Sequence, residues 1–198
     1  MNATASPTLR LTAEEYLVRE RLAASKSEFV DGVVYGMPGG TPRHATIQAN
    51  LSGGIWAQLR TKNCQLFSAD LRVWAPQAHA YFYPDLSVAC EPPQFSGGAH
   101  QDALANPKFI LEVLSPSTER FDRTRKFKMY RSIPGFEQYV LVAQDEPRVE
   151  VFTRNPQGFW VFTDYTDLES VADFGVIGVQ LPLATIYERI AFEPLPEG

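Results

Sequence analysis

The chain has few of the residues that build metal or disulfide frameworks. Among 198 residues there are two cysteines, Cys64 and Cys90, and three histidines. No CxxC and no paired histidine spacing goes with them, so the pattern excludes a zinc module. The cysteines are expected as reduced, packed thiols of a cytoplasmic protein. No stretch approaches the ~18 consecutive apolar residues of a membrane span, so no membrane partner is expected. The opening MNATASPTLR has neither an apolar core nor a cluster of positive charge, and no signal peptide is expected from it. An overall positive charge is missing too. The net charge of −5 excludes a whole-surface footprint for nucleic acid but leaves room for a local basic patch. Internal repeats and low-complexity linkers are absent.

What is present is globular: 44% hydrophobic and 12% aromatic residues, enough to build the core of one domain. A single domain is expected over 10–192, between tails at 1–9 and 193–198. Thr12 opens T-A-E-E, a capping box that predicts a helix to about Ala24. EFVDGVVYG predicts a hairpin about Asp31-Gly32. Ile47, Leu51, Ile55 and Leu59 recur every four residues and predict an amphipathic helix, interrupted by Gly53 and Gly54. Strands are expected at 64–74, 81–90 and 108–114, with a Pro/Gly-rich loop between the last two. A helix is expected from Ser115 to about Ser132, then a meander over 137–166 and a short closing helix in VQLPLATIYERI. This order makes the fold α/β or α+β around a mixed sheet.

Two acidic positions stand out. FILEVLSPST (109–118) puts Glu112 inside an apolar run that reads as a strand buried on both faces. Asp85, in YPDLSVA, heads the preceding strand. Neighbouring strands lie about 4.8 Å apart, so facing carboxylates can share one hard divalent cation. The competing account has Asp85 capping a turn and Glu112 paired with a core Arg or Lys. The next helix adds six basic residues in twelve positions: Arg120, Arg123, Arg125, Lys126, Lys128 and Arg131. Beside a candidate metal site they suggest a phosphodiester backbone as partner; elsewhere they would be a solvated face. Asp122, Lys126 and Tyr130 share one side of that helix. Glu28, Asp70 and His44 are further candidates, each weighed against an ion pair, a cap or simple packing.

Taken in order, several motifs carry a resemblance. They are EFVDGVVY (28–35), PRH (42–44), SADLRV (68–73), YPDLSVAC (83–90), LEVLSPST (111–118), D-x-x-x-K-x-x-x-Y (122–130) and EQYVLV (137–142). The chain resembles a bacterial family of uncharacterised restriction-endonuclease-like proteins within the PD-(D/E)XK nuclease superfamily. The resemblance implies a mixed sheet flanked by helices. It also implies a metal-dependent endonuclease on nucleic acid, with DNA the expected partner, Mg²⁺ or Mn²⁺ the cofactor and a homodimer the expected assembly. The acidic pair maps onto Asp85 and Glu112. The superfamily lysine, two residues after the glutamate, is here Leu114. In some branches that lysine comes from the following helix, which points to Lys126, with Lys128 as runner-up. Arg120, Arg123, Arg125, Lys128 and Arg131 would then hold the nucleic acid. The alternative is a catalytically silent binding or interaction module on the same fold.

Overall fold

A computed structural model describes residues 10–37 and 39–192. The tails expected at 1–9 and 193–198 lie outside the described residues. In chain order the main elements are α1 (Ala13–Glu20), β1 (Ser27–Val30), β2 (Val33–Gly36), α2 (Pro42–Leu59), β3 (Gln65–Ser68), β4 (Arg72–Ala75), β5 (Ala80–Phe82) and β6 (Leu86–Ala89). Then come β7 (Phe95–Ser96), β8 (Ala103–Leu104) and β9 (Phe109–Val113). Next is a helical rod, α3, over 119–130, followed by β10 (Gln138–Val142), β11 (Val149–Arg154), β12 (Trp160–Tyr165), β13 (Val171–Phe174), β14 (Val179–Pro182) and α4 (Leu183–Ile186).

The strands form two six-stranded mixed sheets and a two-stranded ribbon. One sheet runs β2-β1-β5-β4-β8-β7, the other β12-β11-β10-β9-β6-β3. In the second sheet β9 is central, parallel to β10 and antiparallel to β6. Its odd residues, Phe109, Leu111 and Val113, pack with Ile47, Leu51, Ile55 and Leu59 of α2. Burying each of those helix residues fully contributes about 1.5–3 kcal/mol. Its even residues, Ile110 and Leu114, face the other way, into a cluster with Tyr130, Phe136, Tyr139 and Phe82. Glu112 therefore points into the second cluster, between the two sheets and α3.

α1 begins with the expected capping box: Thr12 Oγ1 accepts the Glu15 N–H, and the Thr12 N–H donates to Glu15. It ends at Glu20, short of Ala24. The hairpin turn sits at Asp31 and Gly32, both at positive φ (44° and 91°). α2 continues through both glycines. A Cβ on Gly54 would lie 2.8 Å from the Leu181 side chain, so glycine there lets β14 approach the helix closely.

Other expectations are corrected. The single strands expected over 64–74 and 81–90 each divide between the two sheets. The first breaks at a turn at Ala69-Asp70 and the second at Pro84-Asp85. The loop before β9 contains the short pair β7 and β8, and β13 and β14 were missed: residues 179–182 of the expected closing helix are a strand, and the helix is confined to Leu183–Ile186. Residues 115–118 do not begin the helix. Ser115 Oγ accepts the Thr118 N–H and contacts the hydroxyls of Ser117 and Thr118, which closes a turn before α3 starts at Glu119. Within α3, residues 122–126 form a π turn. The thiol expectation is also corrected: Cys64 and Cys90 are joined in a disulfide. The β3–β6 register pairs Gln65 with Ala89, so the next step brings 64 opposite 90. The cysteines thus lend no support to a reducing compartment. Among the described residues no helix is long and apolar enough to cross a membrane.

Candidate active site

Asp85 and Glu112 meet as a consequence of sheet register. β6 and β9 pair Leu86 with Leu111, so one further antiparallel step sets Asp85 opposite Glu112. Asp85 also replaces a ladder acceptor: its Oδ2 takes the Val113 N–H at 2.7 Å. Glu112, 5% exposed, is met by α3. Lys126 Nζ lies 2.9 Å from its Oε1, and the Tyr130 hydroxyl donates to the same oxygen at 3.0 Å. That ammonium is shared. It also lies 2.8 Å from Glu28 Oε1 and 3.5 Å from Asp122 Oδ1. Glu28 is anchored on β1 and accepts the Tyr83 N–H as well.

Three buried carboxylates thus surround one ammonium. The consequence is electrostatic. Burial pushes Glu112 well above the usual carboxylate range; Asp122, Asp85 and Glu28 add to this and Lys126 opposes it. Asp122 is raised as well, again mainly by burial, with Lys126 opposing. For Lys126 burial pulls the pKa down, but Glu112, Glu28 and Asp122 together outweigh it and hold the group well above 10.5. Burial and Glu112 both raise Tyr130, which stays a neutral donor.

On the other side of Asp85 stands α2. Thr41 caps it by accepting the His44 N–H, and Pro42 occupies its first turn. His44 Nε2 lies 3.3 Å from Asp85 Oδ2, and its pKa is raised mainly by that contact, with burial opposing. One turn on, the Gln48 amide donates to the backbone and side-chain oxygens of Asp85 at 3.3 Å each. Gln48 was missed in the sequence. Its place four residues after His44 on one helix face was the available signal.

The site opens into a pocket of about 560 Å³. Glu28, His44, Asp85, Glu112, Asp122 and Lys126 all border it. Asp70 does not. It is exposed on the surface, 2.5 Å from Lys26, and the turn that divides β3 from β4 carries it away from the site. Of the basic candidates Arg125 borders the pocket, whereas Arg120, Lys128 and Arg131 are exposed along the rod. Arg131 lies over the Phe127 ring. Arg123 is tied to Glu119 and Glu150, which leaves its guanidinium less free for a phosphate than the sequence suggests.

The donor chemistry suits a hard divalent cation, because Asp85 and Glu112 offer carboxylate oxygens only. Among the described residues no three His, Cys, Asp or Glu side chains converge tightly enough to enclose a metal. Two carboxylates with the remaining positions left to water and phosphate are the usual magnesium arrangement, so the residues fit such an ion. The surplus of buried negative charge points the same way.

Comparison with known proteins agrees with this architecture. An uncharacterised Synechocystis sp. protein, sll1609, is 35% identical over 169 residues, which are 85% of this chain and 95% of that protein. A second from the same organism, slr1290, is 30% identical over 191 residues, 96% and 98% of the two chains. A crystal structure from Anabaena variabilis, described as "a putative nuclease belonging to DUF820", superposes with a TM-score of 0.69. It covers 91% of this chain and 99% of that one at 17% identity, a likeness of fold. Residues 13–184 match the Uma2 family, described as "Putative restriction endonuclease", and the chain belongs to that family.

Proposed function

We propose that the pocket hydrolyses phosphodiester bonds of nucleic acid, DNA in the first place, with a divalent cation held by Asp85 and Glu112. The observation that carries this reading is the buried group of Glu28, Glu112 and Asp122 around Lys126, with Asp85 opposite Glu112 on the adjacent strand. So much like charge in one open pocket is costly for a fold and useful for binding cations. Bound there, Mg²⁺ or Mn²⁺ would polarise the phosphate and lower the pKa of an attacking water. The chain's own residues do the rest. Asp85 and Glu112 orient the ion, His44 and Gln48 fix the rotamer of Asp85, and Tyr130 fixes Glu112. Lys126 presents a permanent positive charge to the phosphate, the role that Leu114 cannot fill. Arg120, Arg125, Lys128 and Arg131 supply the electrostatic track along the backbone.

The assembly we propose is a homodimer. Support comes from β12, an outer strand of its sheet, where Val161 and Phe162 are half-exposed beside Phe159. Sedimentation of a Val161→Lys variant against the parent tests it: an unchanged sedimentation coefficient argues against this edge.

A second reading has one observation in its favour. The Lys126 ammonium already sits among three carboxylates, so the group can exist as a closed ion cluster in a binding module that does not cut. Calorimetric titration with Mn²⁺, followed by cleavage assays on plasmid and single-stranded DNA, separates the two. Metal uptake that Glu112→Gln and Asp85→Asn each abolish, together with cutting, is the expected result. DNA binding indifferent to metal, without cutting, would leave the binding module.

A further inference from the structure

The pocket is a poor fit for an intact duplex. Glu112, Asp122 and Lys126 are 5%, 3% and 4% exposed, so they form its floor rather than its rim. A volume of about 560 Å³ lies within the roughly 300–1,000 Å³ of pockets that enclose a small molecule. A single strand with one nucleotide turned out of the stack can lower a phosphate and base into such a pocket without the cost of unpairing a duplex.

The mouth is furnished for such a nucleotide. Tyr35 lies on β2, an outer strand of its sheet. It borders the pocket and is 47% exposed. Phe121, also on the border, lies 6.3 Å away with its plane inclined by 33°. An exposed ring beside a charged pocket gains little from the fold, and it offers a stacking face to a base. Arg125 borders the same opening, and among the described residues it has no carboxylate within 4 Å.

The glycines between Tyr35 and α2 add a third observation. Gly36 and Gly39 border the pocket, and Gly36 does not adopt a left-handed φ. A Cβ on either would meet no protein atom within 4 Å. Packing requires glycine at neither position, and backbone conformation does not require it at Gly36. The open space beside them suits close approach of a sugar–phosphate to the main chain.

We infer that the pocket takes one unstacked nucleotide of a single-stranded nucleic acid, its base on Tyr35 and its phosphate between Arg125 and the carboxylate floor. The inference rests on the nuclease reading and specifies its substrate class.

The test is equilibrium binding of a fluorescently labelled oligonucleotide, read by anisotropy in Ca²⁺ at fixed salt. The strand alone is compared with its blunt duplex. The single strand is expected to bind roughly tenfold tighter. Tyr35→Ala should weaken single-strand binding by roughly tenfold, while Tyr35→Phe keeps it, since stacking needs the ring and not the hydroxyl. Gly36→Ala should weaken binding with no loss of thermal stability, a combination that a purely structural glycine would not give. Equal or tighter duplex binding overturns the inference, and so does unchanged single-strand binding in Tyr35→Ala. Cleavage in Mn²⁺ is measured in parallel. Duplex preference with cleavage leaves the nuclease reading standing and removes only the inference. Failure to bind either oligonucleotide removes both.

Discussion

Replacing Lys126 by methionine perturbs the carboxylate group at its centre. Methionine keeps the unbranched stem but gives up the ammonium's position 5.6 Å from the centre of the Phe82 ring. It removes the ammonium that lies 2.8, 2.9 and 3.5 Å from Glu28, Glu112 and Asp122. The carboxylates are buried, so they answer the loss by taking up a proton in place of the cation. Holding one at pH 7 on a carboxyl whose ordinary pKa is 4.5 costs about 3.4 kcal/mol, at ~1.36 kcal/mol per pH unit. That agrees with the ~3–5 kcal/mol lost when one member of a buried pair is removed. The expected destabilisation is therefore about 3–4 kcal/mol at pH 7. The sign of its pH dependence is fixed. The native state holds a proton that the unfolded state has released, so the stability is present at low pH and is lost as pH rises. At pH 5 the same proton costs only about 0.7 kcal/mol, and most of the deficit should vanish. Urea unfolding in EDTA at pH 5, 6 and 7, followed by circular dichroism, measures the difference from the parent at equal m. A deficit under about 1 kcal/mol at pH 7, or one that persists at pH 5, would refute the reasoning.

Glu112→Gln should stabilise the metal-free protein at neutral pH by about 1–2 kcal/mol, because it removes a buried charge while keeping an acceptor for Lys126 and Tyr130. It should also flatten the fall in stability between pH 5 and 7, as titration of the urea midpoint would show. Lys128→Ala should leave cleavage close to the parent rate, since that side chain is exposed on the outer face of the rod; a loss as large as that of Lys126→Ala would reverse the assignment. Combined Arg120→Ala, Arg125→Ala and Lys128→Ala should reduce the log–log salt slope of oligonucleotide binding by about 0.7–0.9 per lost phosphate contact. Reduction of Cys64–Cys90, which closes a loop of sequence separation 26, should cost about 3.5 kcal/mol by loop entropy, measured by urea unfolding with and without reductant.

The periodic parts of this fold were legible. The four-residue repeat from Ile47 to Leu59 is one face of α2, and the apolar run around Glu112 is the central strand of its sheet. Asp31-Gly32 announced the hairpin that carries Glu28. What could not be read was the partition of strands between sheets. Apart from Asp85 and Ser87, residues 81–90 are apolar, and alternation says nothing about which partner each half selects. That is decided by the bend at Pro84-Asp85, where one half joins β1 and β4 and the other joins β9 and β3. The same bend sets Asp85 beside Glu112, so the corrected strand and the candidate site have one cause. Cys64 and Cys90 meet for a similar reason, through a β3–β6 register that no spacing rule supplies. Asp70 was drawn into the candidates by its motif alone, and its turn faces solvent.

The π turn in α3 explains how a helix can serve the site and the core together. Phe82 lies 6.5 Å from Phe121 and 5.1 Å from Tyr130, ring to ring. Nine positions separate those two residues. At about 100° per residue a regular α-helix would set them on opposite sides of the rod, unable to reach one ring. Between 122 and 126 the turn is wider, and the Phe127 N–H donates to the carbonyl of Asp122, five residues back. One residue absorbed in this way takes out about 100° of rotation and returns Phe121 and Tyr130 to roughly the same side. Asp122 and Lys126 are the two ends of the widened turn, and both are buried against Glu112 and Glu28. The irregularity thus returns Phe121 to the side of the rod that Lys126 and Tyr130, four residues apart, already share. The ammonium enters from the helix, and position 114 on the strand remains apolar and packed with Ile110 and Tyr139. A lysine there would have to displace that packing. In this chain the hydrophobic cluster holds the strand position and the helix supplies the charge.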